Sequence, residues 1–212
     1  MFAAVIAVAG LLGMVAARYP DRPGPEQRRA ELQRRVQATV FPRDFARLPD
    51  VALRGRDGSF DLRGDTAGRW TLVYLGYTHC PDVCPTTLQA VASAFARLDR
   101  LDVAVPRMMF VSVDPRRDTA RNTARYAHAF DSRFVGITGA PAALHRLSAA
   151  LHLDFSVPAD PANDRYTVQH TAGLALIDPD ARLRAFFTAP VQPATLATDL
   201  RKILETLGST RT

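Results

Sequence analysis

Three features of the sequence predict an α/β layer fold for this chain. From about residue 70 onwards, segments with the composition of β-strands alternate with segments of helical periodicity. The chain closes with two apolar segments around a turn and then an amphipathic stretch, a hairpin plus helix that fits a thioredoxin-like fold with a central mixed sheet flanked by helices. Its 212 residues, 47% of them hydrophobic, are enough for one sizeable hydrophobic core but too few for two domains of ordinary size.

The individual strands and helices are predicted from residue composition and from the spacing of apolar residues along the chain. Apolar and polar residues alternate on both sides of the turn residues Asp57-Gly58. This pattern predicts a β-hairpin over 51–64, as an N-terminal extension of the fold. The apolar, β-branched and aromatic run 70–77 predicts a buried strand, and the helical period of 85–98 predicts a helix with Pro85 in its first turn. Further strands are expected at 107–114, 134–138, 170–178 and 183–189, and further helices at 118–130, 140–152 and 193–207.

The N-terminal segment 1–17 carries no charge and is interpreted as a signal peptide or a membrane anchor. As a helix it would span about 25 Å, against ~30 Å for the hydrocarbon core. A buried helix of the soluble fold is the remaining alternative. The nearest arginines follow this run rather than precede it, which runs against export. Residues 18–40 are interpreted as a charged linker and 41–212 as the thioredoxin-like domain.

The formal net charge of +6 does not indicate a nucleic-acid partner. Lys202 is the sole lysine, and the arginines are scattered among acidic residues outside one early segment. The aromatic and basic stripe that tracks a nucleic-acid backbone is missing from the sequence. Nucleic-acid binding is therefore not expected.

Cys80 and Cys84, the only cysteines, lie in the stretch GYTHCPDVCPTTL at a predicted strand-to-helix junction. Two thiols four residues apart can face one small volume if the second begins a helix, and the helix N-terminus favours their thiolates. The pair can serve as a redox centre or bind a soft cation. A purely structural disulfide is disfavoured because so short a loop removes little entropy from the unfolded chain.

A copper site would add a nitrogen ligand to the two thiolates. His170, which follows a loop-like segment and opens an apolar stretch, is a candidate ligand, whereas His79 is expected to form a wall of the site. The other three histidines are expected at the surface of helices: His128, His145 and His152. Asp114, at the end of a predicted strand, is expected to tune the thiols or contact a partner, and Asp118 to cap the next helix.

Three motifs together resemble the Sco/SenC family of copper-binding, thioredoxin-like proteins: YLGYTHCPDVCPTTL, VSVDPRRDT and HTAGLALIDPDARL. The resemblance covers about 41–212 and implies copper, Cu(I) or Cu(II), one per monomer, with Cys80, Cys84 and His170 as ligands. Asp114 matches a carboxylate that is functionally implicated in the family. Gln169 departs from the family, which often has an acidic residue before the ligand histidine.

The resemblance also implies a location and partners. The domain would lie in the periplasm, attached to the cytoplasmic membrane by the N-terminal segment or exported in soluble form. It would deliver copper to the CuA centre of cytochrome c oxidase subunit II, with a periplasmic copper donor and a thiol reductant as further partners. Two alternatives remain open: a thiol-disulfide reductase that keeps the CuA cysteines reduced, with Cys80 attacking and Cys84 resolving, and a thiol peroxidase or redox sensor.

Overall fold

The computed structural model describes residues 23–158, 163 and 165–208. These residues form an α/β fold around a six-stranded mixed sheet, as predicted. The N-terminal segment 1–17, whose sequence is interpreted as an anchor or signal peptide, lies outside the described residues. Among the helices that are described, none has both the length and the apolar character needed to cross a bilayer.

Helices and strands alternate along most of the described chain. The helices are α1 (Pro25–Gln33), α2 (Leu62–Thr66), α3 (Val83–Arg100), α4 (Ala120–His128), α5 (Pro141–Leu151) and α6 (Pro193–Gly208). The strands are β1 (Thr39–Val40), β2 (Ala52–Gly55), β3 (Gly58–Asp61), β4 (Thr71–Gly76), β5 (Arg107–Ser112), β6 (Val135–Ile137), β7 (Phe155–Ser156), β8 (Gln169–His170), β9 (Gly173–Ile177) and β10 (Leu183–Thr188).

The main sheet has the order β1-β10-β9-β4-β5-β6. Strands β4, β5 and β6 run parallel, while β9 pairs antiparallel with β4 and β10 pairs antiparallel with β9. All six residues of β4 are buried, which explains why this strand reads as a continuous apolar run rather than an alternating one. Helices α3 and α6 pack against each other, and α4 packs on β5 and β6.

The predicted hairpin 51–64 is present as β2 and β3, which pair antiparallel outside the main sheet. Gly58 closes its turn with a φ of 128°, a conformation that L-residues with a side chain rarely adopt. A bridge between Arg54 and Thr138 connects the hairpin to the chain that follows β6. The hairpin therefore sits beside the parallel edge of the sheet.

The segment interpreted as a charged linker contributes to the folded unit from Pro25 onwards. Helix α1 buries Leu32, and Ala38 and Val40 are also buried in the core. Strand β1 adds to the sheet by pairing antiparallel with β10. The folded unit thus begins before residue 41. The sequence does not indicate this, because only a few apolar side chains lie within a segment that is otherwise strongly polar.

The strand expected at 170–178 is divided in the structure. Strand β9 begins at Gly173, and His170 belongs to the separate strand β8, which pairs with β7 in a two-stranded sheet. The run of apolar residues predicts the central strand correctly. It does not show that the chain stops pairing with β7 near Thr171 and then pairs with β4 and β10.

Asp199 on α6 is a buried carboxylate that anchors the N-terminal segment. Its side chain is 3% exposed and accepts hydrogen bonds from the backbone N–H groups of Gln37 and Ala38, at 2.8 and 3.0 Å. We expect Asp199→Ala to lower the free energy of unfolding by about 2–4 kcal/mol, because both donors lose their acceptor. Urea unfolding measures the change, and limited proteolysis within 25–40 should accelerate.

Thr198→Ala is the matched control, because Thr198 lies beside Asp199 on the same helix but is exposed. It should leave the free energy of unfolding within about 0.5 kcal/mol of the unmutated value. Equal effects of the two substitutions would show that the N-terminal segment does not depend on Asp199.

Candidate metal centre

The two cysteines lie where the central strand β4 passes into helix α3. Six residues, 77–82, connect the two elements, and Cys80 lies within this loop while Cys84 is the second residue of the helix. Pro85 occupies the third helical position, where a missing N–H costs no intrahelical hydrogen bond. The backbone N–H of Cys84 donates to Sγ of Cys80 at 3.3 Å, which draws the two thiols together.

His170 reaches the cysteines because β9 runs antiparallel to β4. The register pairs Val73 with Ala175, so the residues that precede β9 lie at the carboxyl end of β4. The β7–β8 pairing then sets His170 opposite Phe155. Residues 86 positions apart in the sequence thereby meet at one edge of the sheet.

The three side chains form one compact group. Nε2 of His170 lies 3.4 Å from Sγ of Cys84, and the two sulfurs and a ring nitrogen all lie within 4.8 Å of one another. Two ligands of one metal ion, each at about 2.0–2.3 Å, can be at most about 4.6 Å apart. Among the described residues, this is the one group of three such side chains with ligand atoms close enough to hold an ion, and a small contraction brings them to bonding distance.

Burial favours the neutral forms of Cys84 and His170. Desolvation raises the pKa of the Cys84 thiol to about 12, and the nearby Cys80 contributes in the same direction. Burial lowers the pKa of His170, so its ring is neutral at pH 7. A metal ion must therefore displace a proton from Cys84, whereas the imidazole is already free to coordinate.

The orientation of His170 suits ligation through Nε2. Its Nδ1 lies 3.3 Å from the carbonyl oxygen of Thr171. With the proton on Nδ1, that nitrogen donates to the carbonyl and Nε2 directs its lone pair towards Cys84. The rings of Tyr74 and Tyr77 pack edge-on against the imidazole, with centroids 5.8 and 6.1 Å away, and restrict its rotation.

Gly76, the last residue of β4, must be glycine because Cys84 and Phe110 pack closely against its backbone. A Cβ at this position would lie 2.9 Å from Sγ of Cys84 and 2.8 Å from the ring of Phe110. No residue with a side chain fits there without displacing one of these groups. The sequence places Gly76 within the cysteine motif, but its role becomes visible only with α3 in position.

Asp118 differs from its expected role as a helix cap. Thr119 is the N-cap of α4, accepting from the N–H of Asn122, while Asp118 is 1% exposed. The Asp118 carboxylate accepts from the N–H and hydroxyl of Thr78 and from the hydroxyl of Ser112. It therefore stabilises the loop that leads to Cys80. The sequence does not predict this contact, because Thr78 lies 40 residues before Asp118.

Asp114 follows the end of β5, the strand next to β4, and is enclosed. Its side chain is fully buried, accepts a hydrogen bond from the hydroxyl of Tyr166 at 2.7 Å, and pairs with Arg117. A carboxylate held in this way does not present itself to a partner surface. The sequence alone does not predict the participation of Arg117 and Tyr166.

The other histidines do not join the group. The His79 side chain is 55% exposed, and its Nδ1 lies 3.4 Å from Asp118. The three histidines expected at helix surfaces are exposed in the structure: His128, His145 and His152. Within the described part of the chain, only His170 supplies a nitrogen beside the cysteines.

The SCO1/SenC family model matches residues 53–205, which include all three members of the group. The chain belongs to the SCO1/SenC family. A protein of Stutzerimonas stutzeri with the provisional name copper-binding protein is 34% identical over 78% of this chain and 80% of its own length. The mitochondrial SCO2 homologue of Bos taurus is 32% identical over 85% of this chain, which spans 65% of the bovine protein.

The similar solved structures include ScoI proteins of two organisms with copper bound. ScoI of Bradyrhizobium japonicum with copper bound is similar with a TM-score of 0.62 and 32% identity, over 74% of this chain and 99% of that chain. ScoI of Arabidopsis thaliana with copper bound has a TM-score of 0.68 and 27% identity, over 76% of this chain and 99% of that chain. This chain therefore has the fold of copper-binding members of the family.

Gly76→Ala should weaken metal binding by displacing the Cys84 sulfur. The new methyl group conflicts with Sγ of Cys84 and the Phe110 ring, so we expect Cu(I) affinity to fall about tenfold and stability by about 1–3 kcal/mol. Competition with a Cu(I) chelator and urea unfolding measure the two effects.

Gly55→Ala is the matched control, because a Cβ at Gly55 meets its neighbours at ordinary distances of 3.8–3.9 Å. It should retain unmutated Cu(I) affinity. Unchanged affinity in Gly76→Ala as well would show that the Cys84 sulfur has room to move.

Proposed function

We propose that this protein binds one copper ion per monomer through Cys80, Cys84 and His170 and delivers it to the CuA centre of cytochrome c oxidase subunit II. The observation that carries the proposal is the approach of two thiol sulfurs and one imidazole nitrogen to within 4.8 Å of one another. Membership of the SCO1/SenC family and the copper-bound ScoI relatives support the choice of metal.

The donor set suits an ion that must be captured and then released. Two thiolates satisfy soft Cu(I), and the added imidazole accommodates Cu(II). The thiol of Cys84 is fully enclosed, whereas Cys80 retains 8% exposure. An incoming thiolate from an acceptor would therefore exchange first with Cys80, while Cys84 and His170 still hold the ion.

The setting of this activity also belongs to the proposal. The uncharged segment 1–17 would hold the domain at the outer face of the cytoplasmic membrane, or direct its export to the periplasm. There the protein would receive copper from a periplasmic donor and electrons from a thiol reductant.

Copper stoichiometry and visible spectroscopy test the proposal directly. The reduced protein should bind one copper ion, and its Cu(II) form should show thiolate-to-metal absorption. Cys80→Ser and Cys84→Ser should each weaken and shift that absorption, because each removes one of the two sulfur ligands. Absence of the absorption in the unmutated protein would contradict the proposed site.

His170→Ala should separate the two oxidation states. We expect it to lower Cu(II) affinity by about a hundredfold or more and Cu(I) affinity by less than about fivefold, since two thiolates alone satisfy the soft ion. Competition titrations under anaerobic conditions measure both affinities.

His128→Ala is the matched control, because His128 is exposed and lies outside the ligand group. It should leave both affinities unchanged. An equal loss of Cu(I) and Cu(II) affinity in His170→Ala would argue that His170 maintains the structure rather than binding metal.

A thiol-disulfide reductase is the second candidate, favoured by the unequal exposure of the two free cysteines. The Cys80 thiolate, the more accessible one, would attack a disulfide of the CuA cysteines and release one partner thiolate. Cys84 would then attack the mixed disulfide, releasing the second thiolate and leaving a Cys80–Cys84 disulfide. The partner gains two electrons, and the external reductant restores the pair.

The two candidates are separated by measuring bound copper and the reduction potential on the same preparation. A potential clearly below that of the partner disulfide, with negligible copper binding, would favour the reductase. Tight copper binding with slow disulfide exchange would favour delivery.

A further inference from the structure

We propose that Asp114, Arg117 and Tyr166 form a latch that positions His170 for Cu(II). The inference rests on the proposed copper function and gives these three side chains a task in it. They are positioning residues, because they act on the metal centre through His170.

The latch consists of polar contacts around the buried carboxylate of Asp114. Nε of Arg117 donates to the Asp114 carboxylate at 2.5 Å, with side chains 7% and 0% exposed. The Tyr166 hydroxyl donates to the same carboxylate at 2.7 Å, and Nη1 of Arg117 donates to the Tyr166 carbonyl at 2.9 Å. The guanidinium also lies 3.6 Å from the centroid of the Tyr166 ring, so both the ring and the backbone of Tyr166 are held.

The position of these contacts along the chain connects them to the ligand. Asp114 and Arg117 belong to the connection between β5 and α4, while Tyr166 lies four residues before His170. Strand β8 pairs with β7 through only two residue pairs and is not part of the main sheet. Because so short a hairpin is weak by itself, the segment that carries His170 needs a further attachment, and the latch supplies it.

Arg117 also lies near the loop that carries Cys80. Its guanidinium lies 5.6 Å from the centroid of the Tyr77 ring, and that ring packs edge-on against His170 at 6.1 Å. Tyr77 is part of the loop that leads to Cys80. One guanidinium thus contacts both the segment before His170 and the loop before the cysteines.

The burial and contacts of Asp114 favour a positioning role over contact with a partner, which is one of the two roles expected for it. The carboxylate is outside the group of ligand atoms, and its full burial keeps it from a partner surface. Its bonds go instead to Tyr166 and Arg117. Asp114 therefore acts on the metal centre through the segment that carries the third ligand.

Tyr166→Phe tests the latch, since it removes one hydroxyl and leaves the ring beneath Arg117 in place. We expect Cu(II) affinity to fall about tenfold, equivalent to about 1.4 kcal/mol, with a changed thiolate-to-Cu(II) spectrum. Cu(I) affinity should remain within twofold, because two thiolates suffice for that ion. Tyr126→Phe is the matched control, since the buried Tyr126 hydroxyl has no hydrogen-bond partner among the described residues.

A double-mutant cycle with His170→Ala shows whether the effect passes through His170. In the His170→Ala background, Tyr166→Phe should change Cu(II) affinity by less than twofold. A tenfold loss in both backgrounds would overturn the latch, because the hydroxyl would then act independently of the histidine. No loss in either background would also overturn it.

A metal-free measurement separates failure of the latch from failure of the proposed function. In the unmutated protein, NMR should show contacts between the His170 ring and the rings of Tyr74 and Tyr77. These contacts should weaken in Tyr166→Phe and persist in Tyr126→Phe. If the unmutated protein binds no copper, weakened contacts still support the latch, and unchanged contacts refute it.

Discussion

The antiparallel pairing of β9 with β4 is the constraint on which the metal centre depends. It sets the chain that precedes β9 at the carboxyl end of the strand that leads into the cysteines. Because β4 and β9 are both buried on both faces, a slip of this register would disrupt core packing and would also move His170 away from Cys84. The free energy of core packing thus maintains the geometry of the site.

Burial around the centre has two opposing consequences. It raises the pKa of Cys84 to about 12, which disfavours the thiolate that a metal requires. It also lowers the pKa of the partly buried His170, so the imidazole is neutral and free to coordinate. The Cys84 sulfur therefore requires an ion that binds strongly enough to displace its proton.

Buried carboxylates organise the loops around the ligands. Asp118 holds the loop before Cys80 through Thr78 and Ser112, and Asp114 holds the segment before His170 through Tyr166. Both carboxylates lie in the connection between β5 and α4, which supplies no ligand itself. Copper delivery and disulfide reduction would both use this framework, because both require the same two cysteines in the reduced state.

The sequence by itself determined the α/β class, most strand and helix positions, the hairpin of β2 and β3, and the location of Cys80 and Cys84, since these follow from local period and composition. Together with the family motifs, it also indicated His170 as the third ligand. Only the tertiary structure decided that α1 and β1 join the fold, that His170 lies in a separate strand, and that Asp118 braces a loop instead of capping a helix. These features depend on contacts between residues as far apart as Ala38 and Asp199, and long-range contacts leave no periodic signal in a single sequence.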